Sequence, residues 1–391
     1  MMNRVMDLLK EIGSGLRKFF RAHWRIILVI LLLLGGILLA LFLQSRRQYR
    51  TYSVISSKKL DDAGGTSYTL FQGNILAYNV DGCSYTSTGG NLLWNQSYQM
   101  SSPQVEMSDG YLMIYDRGGT GIYLFSKTGN QTHITSSLPV VEAKIADNGS
   151  VAVLTQNNKV GYLRLYNIDG NLTAGGEVHL ETTGYPVSIA FSSDGQRLAL
   201  ALVDVSGGKV NSGIQIYDFG AIGKNLDKHI VAKFDYEDSL IGEIAYIKDG
   251  NLLVYTDQKI LIYHNHAKPG LLNELPVAGQ IRSVYYNKNY FGYIAVGDPA
   301  SGQSTTRLCT FNNRGRRVTD ALLDTNYSRA ELLENNEVAL YAEKKLALYN
   351  LAGTRKFMGN LKSPVTEVIP GSTSREYLFI CEGTQEHVKL K

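Results

Sequence analysis

The apolar positions of this chain fall into two regimes. From Ile26 to Leu43 there is an unbroken run of 18 residues without a polar side chain, 15 of them Leu, Ile, Val or Phe. At about 1.5 Å rise per residue such a helix is about 27 Å long, close to the hydrocarbon thickness of a bilayer. After Arg50 the pattern changes to short apolar runs separated by Gly, Asn, Asp and Ser clusters, with no long stretch of 3.6-residue period. That is the pattern of many short strands.

The strands repeat. An apolar-x-apolar-aromatic unit, usually followed by Gly four residues on, ends at Phe125, Tyr166, Tyr217, Tyr263, Phe311 and Tyr349. The steps are 41, 51, 46, 48 and 38 residues. Each copy is preceded by two apolar strands joined by a tight turn, as in Ile189 to Leu202 around Asp194-Gly195 and Ile244 to Tyr255 around Asp249-Gly250. Gly and Asp tolerate the positive φ that hairpin turns require. Four strands in about 45 residues is the unit of a β-propeller blade, and blades must close around an axis to bury both faces. The spacing predicts blades beginning near 66, 101, 139, 183, 240, 279, 327 and 364, an all-β, eight-bladed propeller, with seven blades as the alternative. The last unit has room for three strands. The isolated strand at Tyr52–Ser56 is expected to supply its fourth and so close the ring.

The apolar run is too long for a signal-peptide core and ends in Gln44-Ser45-Arg46-Arg47 rather than a small-residue cleavage site, so it reads as an uncleaved anchor. Six basic residues precede it (Arg4, Lys10, Arg17, Lys18, Arg21, Arg25) and three follow (Arg46, Arg47, Arg50), which favours an N-terminus inside the cell and the C-terminal domain outside. Val5, Leu9, Ile12, Leu16 and Phe19 recur at helical spacing among basic residues, the pattern of a short amphipathic helix on the inner leaflet. The expected organisation is a cytoplasmic basic segment over 1–25, a membrane anchor over 26–43, a linker over 44–50 and a propeller over 51–391.

Charge changes the picture once it is divided. Residues 1–50 carry nine Lys/Arg and two Asp/Glu; subtraction from the totals of 39 and 35 leaves 30 and 33 beyond, a net of −3. The propeller has no positive excess for a phosphate backbone, which argues against a nucleic-acid partner. The three cysteines, Cys83, Cys309 and Cys381, match no zinc spacing and read as buried thiols.

The segment from Ala190 to Ala199, around Asp194-Gly195, resembles the inner-strand turn of WD40-like propellers, and the turn-to-Gly repeat resembles quinoprotein-type propellers. The stretch Leu93 to Pro103, with Trp94 and Tyr98, followed by Gly110 to Phe125, is similar to an uncharacterised family, a domain of unknown function, of membrane-anchored propellers from clostridial-type Gram-positive bacteria. That resemblance covers nearly the whole chain. It implies a cell-surface location and brings no activity with it.

No nucleophile elbow, zinc-protease helix or phosphate-binding loop occurs, and no catalytic residue, metal ligand or cofactor site is assigned. The pair His264 and His266 and the acidic stretch Asp235–Asp238 read more simply as solvated loop residues than as metal ligands. Long connections on one face of a propeller are the natural partner surface. The candidate face comprises Asp204, Lys209, Asn211, Asp235, Tyr236, Glu237, Asp238, Asp298 and Gln303. The expected role is a tethered module binding an envelope protein or glycan, with the bilayer contacted through 26–43. The alternative is a glycan hydrolase or lyase acting at the channel, which raised-pKa carboxylates converging there would favour.

Overall fold

The computed structural model describes residues 23–391 apart from 26–27, 38, 41, 45, 61–64, 159, 180–182, 207, 298–304, 325 and 382. The amphipathic pattern over 5–20 lies outside the described residues. His23–Gln44 form one helix long and apolar enough to cross a membrane.

Among the described residues, the chain after the linker is strand and turn apart from three single-turn 3-10 helices, Gly223–Asn225, Asp227–His229 and Lys248–Gly250. Eight four-stranded antiparallel sheets follow one another along the chain. The first strand of each blade is innermost: Ser67–Phe71, Pro103–Met107, Val140–Ile145, Tyr185–Phe191, Ile241–Tyr246, Gln280–Tyr286, Arg329–Leu332 and Val365–Pro370. These starts lie within two residues of the expected ones, and the propeller has eight blades. The strand Tyr52–Lys59 pairs antiparallel with Thr384–Leu390, so that Val54 faces Val388, and completes blade eight. Here an N-terminal strand closes a sheet whose other three strands come from the C-terminal end.

The core is distributed among the blades. Eight clusters of buried apolar residues occur, one between each pair of consecutive blades, including the pair that closes the ring. The repeat aromatics belong to these clusters: Phe125, Tyr217, Tyr263, Phe311 and Tyr349 are buried and Tyr166 half-buried, each near the end of a third strand, with Tyr85 in the same place in blade one. The closing interface is the smallest. Only Tyr68, Ile75, Ile369 and Ile380 are its buried members. It is supplemented by Lys58 Nζ donating to Gly90 O at 2.6 Å and Gln385 Nε2 donating to Thr88 O at 2.9 Å.

Antiparallel strands place the first-to-second and third-to-fourth turns at one end of every blade. The second-to-third turns and the links between blades lie at the other. The chain from the N-terminal helix enters at Tyr52, the start of a fourth strand, and is therefore on the first of these ends, called proximal here. Tyr49 is bound between the backbone of Lys356 and Met358 (2.7 and 3.3 Å), Thr51 exchanges bonds with Lys391, and Gln44 Nε2 donates to Ser374 Oγ at 3.1 Å.

Candidate functional site

The candidate partner face gathers at the distal end of blade four. Its second strand, Arg197–Asp204, and third strand, Asn211–Asp218, are joined by the turn 205–210, and its fourth, Ile230–Tyr236, leads into blade five through 237–240. The register sets Asp204 opposite Asn211, Ser212 opposite Tyr236 and Gly213 opposite Asp235. Asp204, Asn211, Asp235, Tyr236 and Glu237 consequently line one cavity of about 420 Å³, together with Lys233 and Gln215. Lys209 and Asp238 join the two connections through an ion pair at 2.9 Å, and the Asp238 amide donates to Asn211 Oδ1 at 3.2 Å. The Ser206 amide donates to Asp204 Oδ1 at 2.9 Å and holds that carboxyl below its usual range. Tyr236 hydroxyl meets Tyr263 hydroxyl, and burial pushes the Tyr236 phenol up. Seven of the nine candidates are thus neighbours. Asp298 and Gln303 lie outside the described residues.

Apolar side chains stand beside this notch. Tyr185, Val187, Val205, Val210 and Leu240 are each 40–55% exposed and all belong to the distal half of blade four or its link to blade five. Val187 owes its exposure to a bulge. The innermost strand slips register between Pro186 and Ser188, and the residue between them is left without a ladder partner. The same slip recurs before Glu142, Glu243, Ser283 and Glu367 in blades three, five, six and eight.

The channel lining is the part that reading along the chain missed. Lys144 Nζ lies 2.6 Å from Glu106 Oε1 and 3.3 Å from Glu142 Oε1, and Glu142 Oε2 accepts the Ile189 amide at 2.8 Å. Tyr286 hydroxyl donates to Glu243 Oε1 at 3.3 Å. Burial raises the carboxyls of Glu106 and Glu243, while Glu106 and Glu142 outweigh burial and keep Lys144 charged. In blades seven and eight, Arg329 sits 4.0 Å over the Tyr341 ring and contacts Glu367 at 3.4 Å and Glu331 at 3.5 Å. Tyr341 hydroxyl donates to Glu331 at 3.0 Å. Burial, then the neighbouring Glu331, pushes Glu367 up to about 9 against the pull of Arg329. Glu367 is thereby biased toward its protonated form, beside a second carboxyl. At the proximal end, Lys288 of blade six reaches across the ring to Asp109 of blade two and to Asp147 of blade three, the latter at 3.6 Å.

The His264–His266 loop has a structural explanation. The buried pair Arg197–Asp218 (2.9 Å) extends to it from blade four: Arg197 Nη1 donates to the Asn265 side chain and, at 2.8 Å, to His266 O. The two imidazoles lie 4.3 Å apart as a ring contact. Among the described residues no group of three or more His, Cys, Asp or Glu side chains is arranged to hold a metal ion. Cys83, Cys309 and Cys381 are all buried and unpaired with one another.

No curated protein sequence matches the chain. Solved structures do. BamB from Moraxella catarrhalis is 13% identical, with a TM-score of 0.51 over 87% of this chain and 100% of its own. The computationally designed Ika8 protein is 13% identical, with a TM-score of 0.54 over 85% and 98%. Apo AztD from Citrobacter koseri is 11% identical, with a TM-score of 0.52 over 78% and 88%. At such identities the likeness is one of fold alone, and the propeller architecture is what these proteins share. The sequence itself is matched by a family profile over residues 45–390, and the chain belongs to that family, the family of unknown function DUF5711.

Proposed function

We propose that this chain is a membrane-tethered propeller that holds a protein partner at the cell envelope on its distal face, away from the tether. The observation that carries the reading is the coincidence, at the distal end of blade four, of an acidic notch with exposed Tyr185, Val187, Val205, Val210 and Leu240. Exposed apolar side chains grouped beside polar ones are the composition of a protein interface. Asp204, Asp235 and Glu237 outnumber Lys233 in the notch, so the partner segment is expected to be basic as well as apolar. The asymmetry of basic residues about 26–43 favours the propeller lying outside the cell. The test is a photocrosslinking amino acid at Val205 in cells producing the full chain, with Leu322, on the distal rim of blade six, as the control position. Capture of one defined protein from Val205, lost in Asp235→Lys/Glu237→Lys, supports the reading. Equal capture from both positions ends it.

A second reading rests on Glu331 and Glu367. An acid whose carboxyl is raised by burial beside a second carboxyl, with Arg329 alongside, is a constellation able to donate and accept a proton in glycan hydrolysis or elimination. Loss of a measured glycan-cleaving activity in Glu331→Gln, with the fold retained, would favour it over the interaction module.

A further inference from the structure

The proximal rim carries two features that the distal partner surface does not use. The first is its exposed leucines. Leu92, Leu93, Leu172, Leu226, Leu271 and Leu272 are 41–59% exposed. They sit at the starts of fourth strands, or in the turn leading into one, in blades one, three, four and five. Fourth strands run from the proximal to the distal end, so all six lie at the proximal end. Leu322, near the end of its strand, is the exposed fourth-strand leucine at the other end.

The second feature is charge. Among the described residues, the third-to-fourth turns present Lys127, Lys224, Lys228, Lys268, Arg314 and Arg316, all exposed, against Asp169 and Asp227, while the first-to-second turns at the same end are near balance, with exposed Asp109, Asp194 and Glu334 against Lys248, Lys288 and Arg375. The linker adds Arg46, Arg47 and Arg50 on the same side.

The tether fixes where this rim lies. The helix ends at Gln44, which already touches Ser374, and the chain is bound to blades seven and eight from Tyr49 onward. Five residues reach at most about 18 Å when fully extended, so the rim at blades seven and eight stays close to the headgroup layer. Leucines at an interface with cations around them are the composition of a peripheral membrane surface.

Resting on the reading of His23–Gln44 as a membrane tether, we propose that the proximal rim is a second membrane contact. Its leucines enter the interfacial layer and its cations lie on anionic headgroups. Helix and rim together then hold the ring flat against the bilayer, with the blade-four notch facing outward.

The decisive blade is the fourth, diametrically opposite the tethered eighth. Full-length protein is reconstituted into vesicles rich in phosphatidylglycerol, or of phosphatidylcholine alone, each doped with a headgroup-nitroxide lipid. A fluorophore is placed at Leu226→Cys or at Val205→Cys, the proximal and distal ends of blade four; the three native thiols are buried and stay unlabelled. The expected result is at least about threefold stronger quenching at 226 than at 205 on the anionic bilayer. The difference should shrink in Lys224→Glu/Lys228→Glu/Lys268→Glu and at high salt, which screens exposed charges. Equal quenching at the two positions on anionic vesicles overturns the proposal while leaving the tether intact. Failure of the chain to float with either vesicle would instead sink the tether reading beneath it.

Discussion

Replacing Glu367 by glutamine should stabilise the propeller, and only at neutral and higher pH. In the fold this carboxyl is buried beside Glu331 and keeps its proton up to about 9, whereas the unfolded chain releases it near the ordinary value of 4.5. Folding therefore takes up a proton throughout the window from 4.5 to 9. This is the raised-pKa case for an acid: the stability is fully present below 4.5 and is lost as pH rises toward 9. At about 1.4 kcal/mol per pH unit, the loss by pH 7 is about 3 kcal/mol. Glutamine keeps the shape, is neutral at every pH, and can still accept from Arg329 and donate to Glu331. Glu367→Gln is expected to match the parent near pH 5 and to exceed it by about 2–3 kcal/mol at pH 7. Chemical denaturation of the full chain in mild detergent can read this through Trp94, which packs 5.0 Å from Tyr85 and 5.3 Å from Phe125. Glu331→Gln should flatten the parent's pH slope by removing the neighbouring charge. A stability gap that does not change with pH, or a glutamine variant weaker at pH 7, would refute the account of this site.

Three further outcomes are expected. Arg197→Ala should cost about 3–5 kcal/mol, because it leaves Asp218 buried without its partner, and should speed hydrogen exchange over 264–266. Val54→Pro, which breaks a paired position of the closing strand, should cost about 3 kcal/mol or more and expose the ring to protease. Ile55→Pro, at the register slip and half-exposed, should cost far less. Burial pushes the thiols of Cys83 and Cys381 up to about 12 and about 11, and raises that of Cys309 as well. A thiol reagent at pH 8 should therefore leave all three unmodified in the folded chain and titrate three on unfolding.

Blade number and blade boundaries were readable because the repeat aromatics serve a periodic need: each fills the space between two sheets, once per blade. Blade one hid its copy because its third strand, Gly82–Thr86, puts Gly and Ser where the other copies have apolar residues. Tyr85 still stands four residues before Gly89, a signal that a search for the aromatic alone would have found. The distal notch was accessible for a related reason. Strand alternation fixes which connections share a face, and unusual length marks them. The channel groups were not accessible. Glu106, Glu142, Glu243, Glu331 and Glu367 each look like an ordinary outward-facing polar position in a strand. Only closure of the ring turns five such positions toward one axis, where burial raises the carboxyls of Glu106, Glu243 and Glu367. The register slips before three of these glutamates are likewise invisible without the partner strand.

The strand that closes the wheel is continuous with the tether, and this gives the molecule a mechanical axis. In the proposed arrangement, any pull between the bilayer and a protein gripping the far face passes along Tyr52–Lys59. Its hydrogen bonds to Thr384–Leu390 lie across the line of force and share the load in shear instead of peeling one by one. The narrow four-residue seam beside that strand is where such a load would first part the ring.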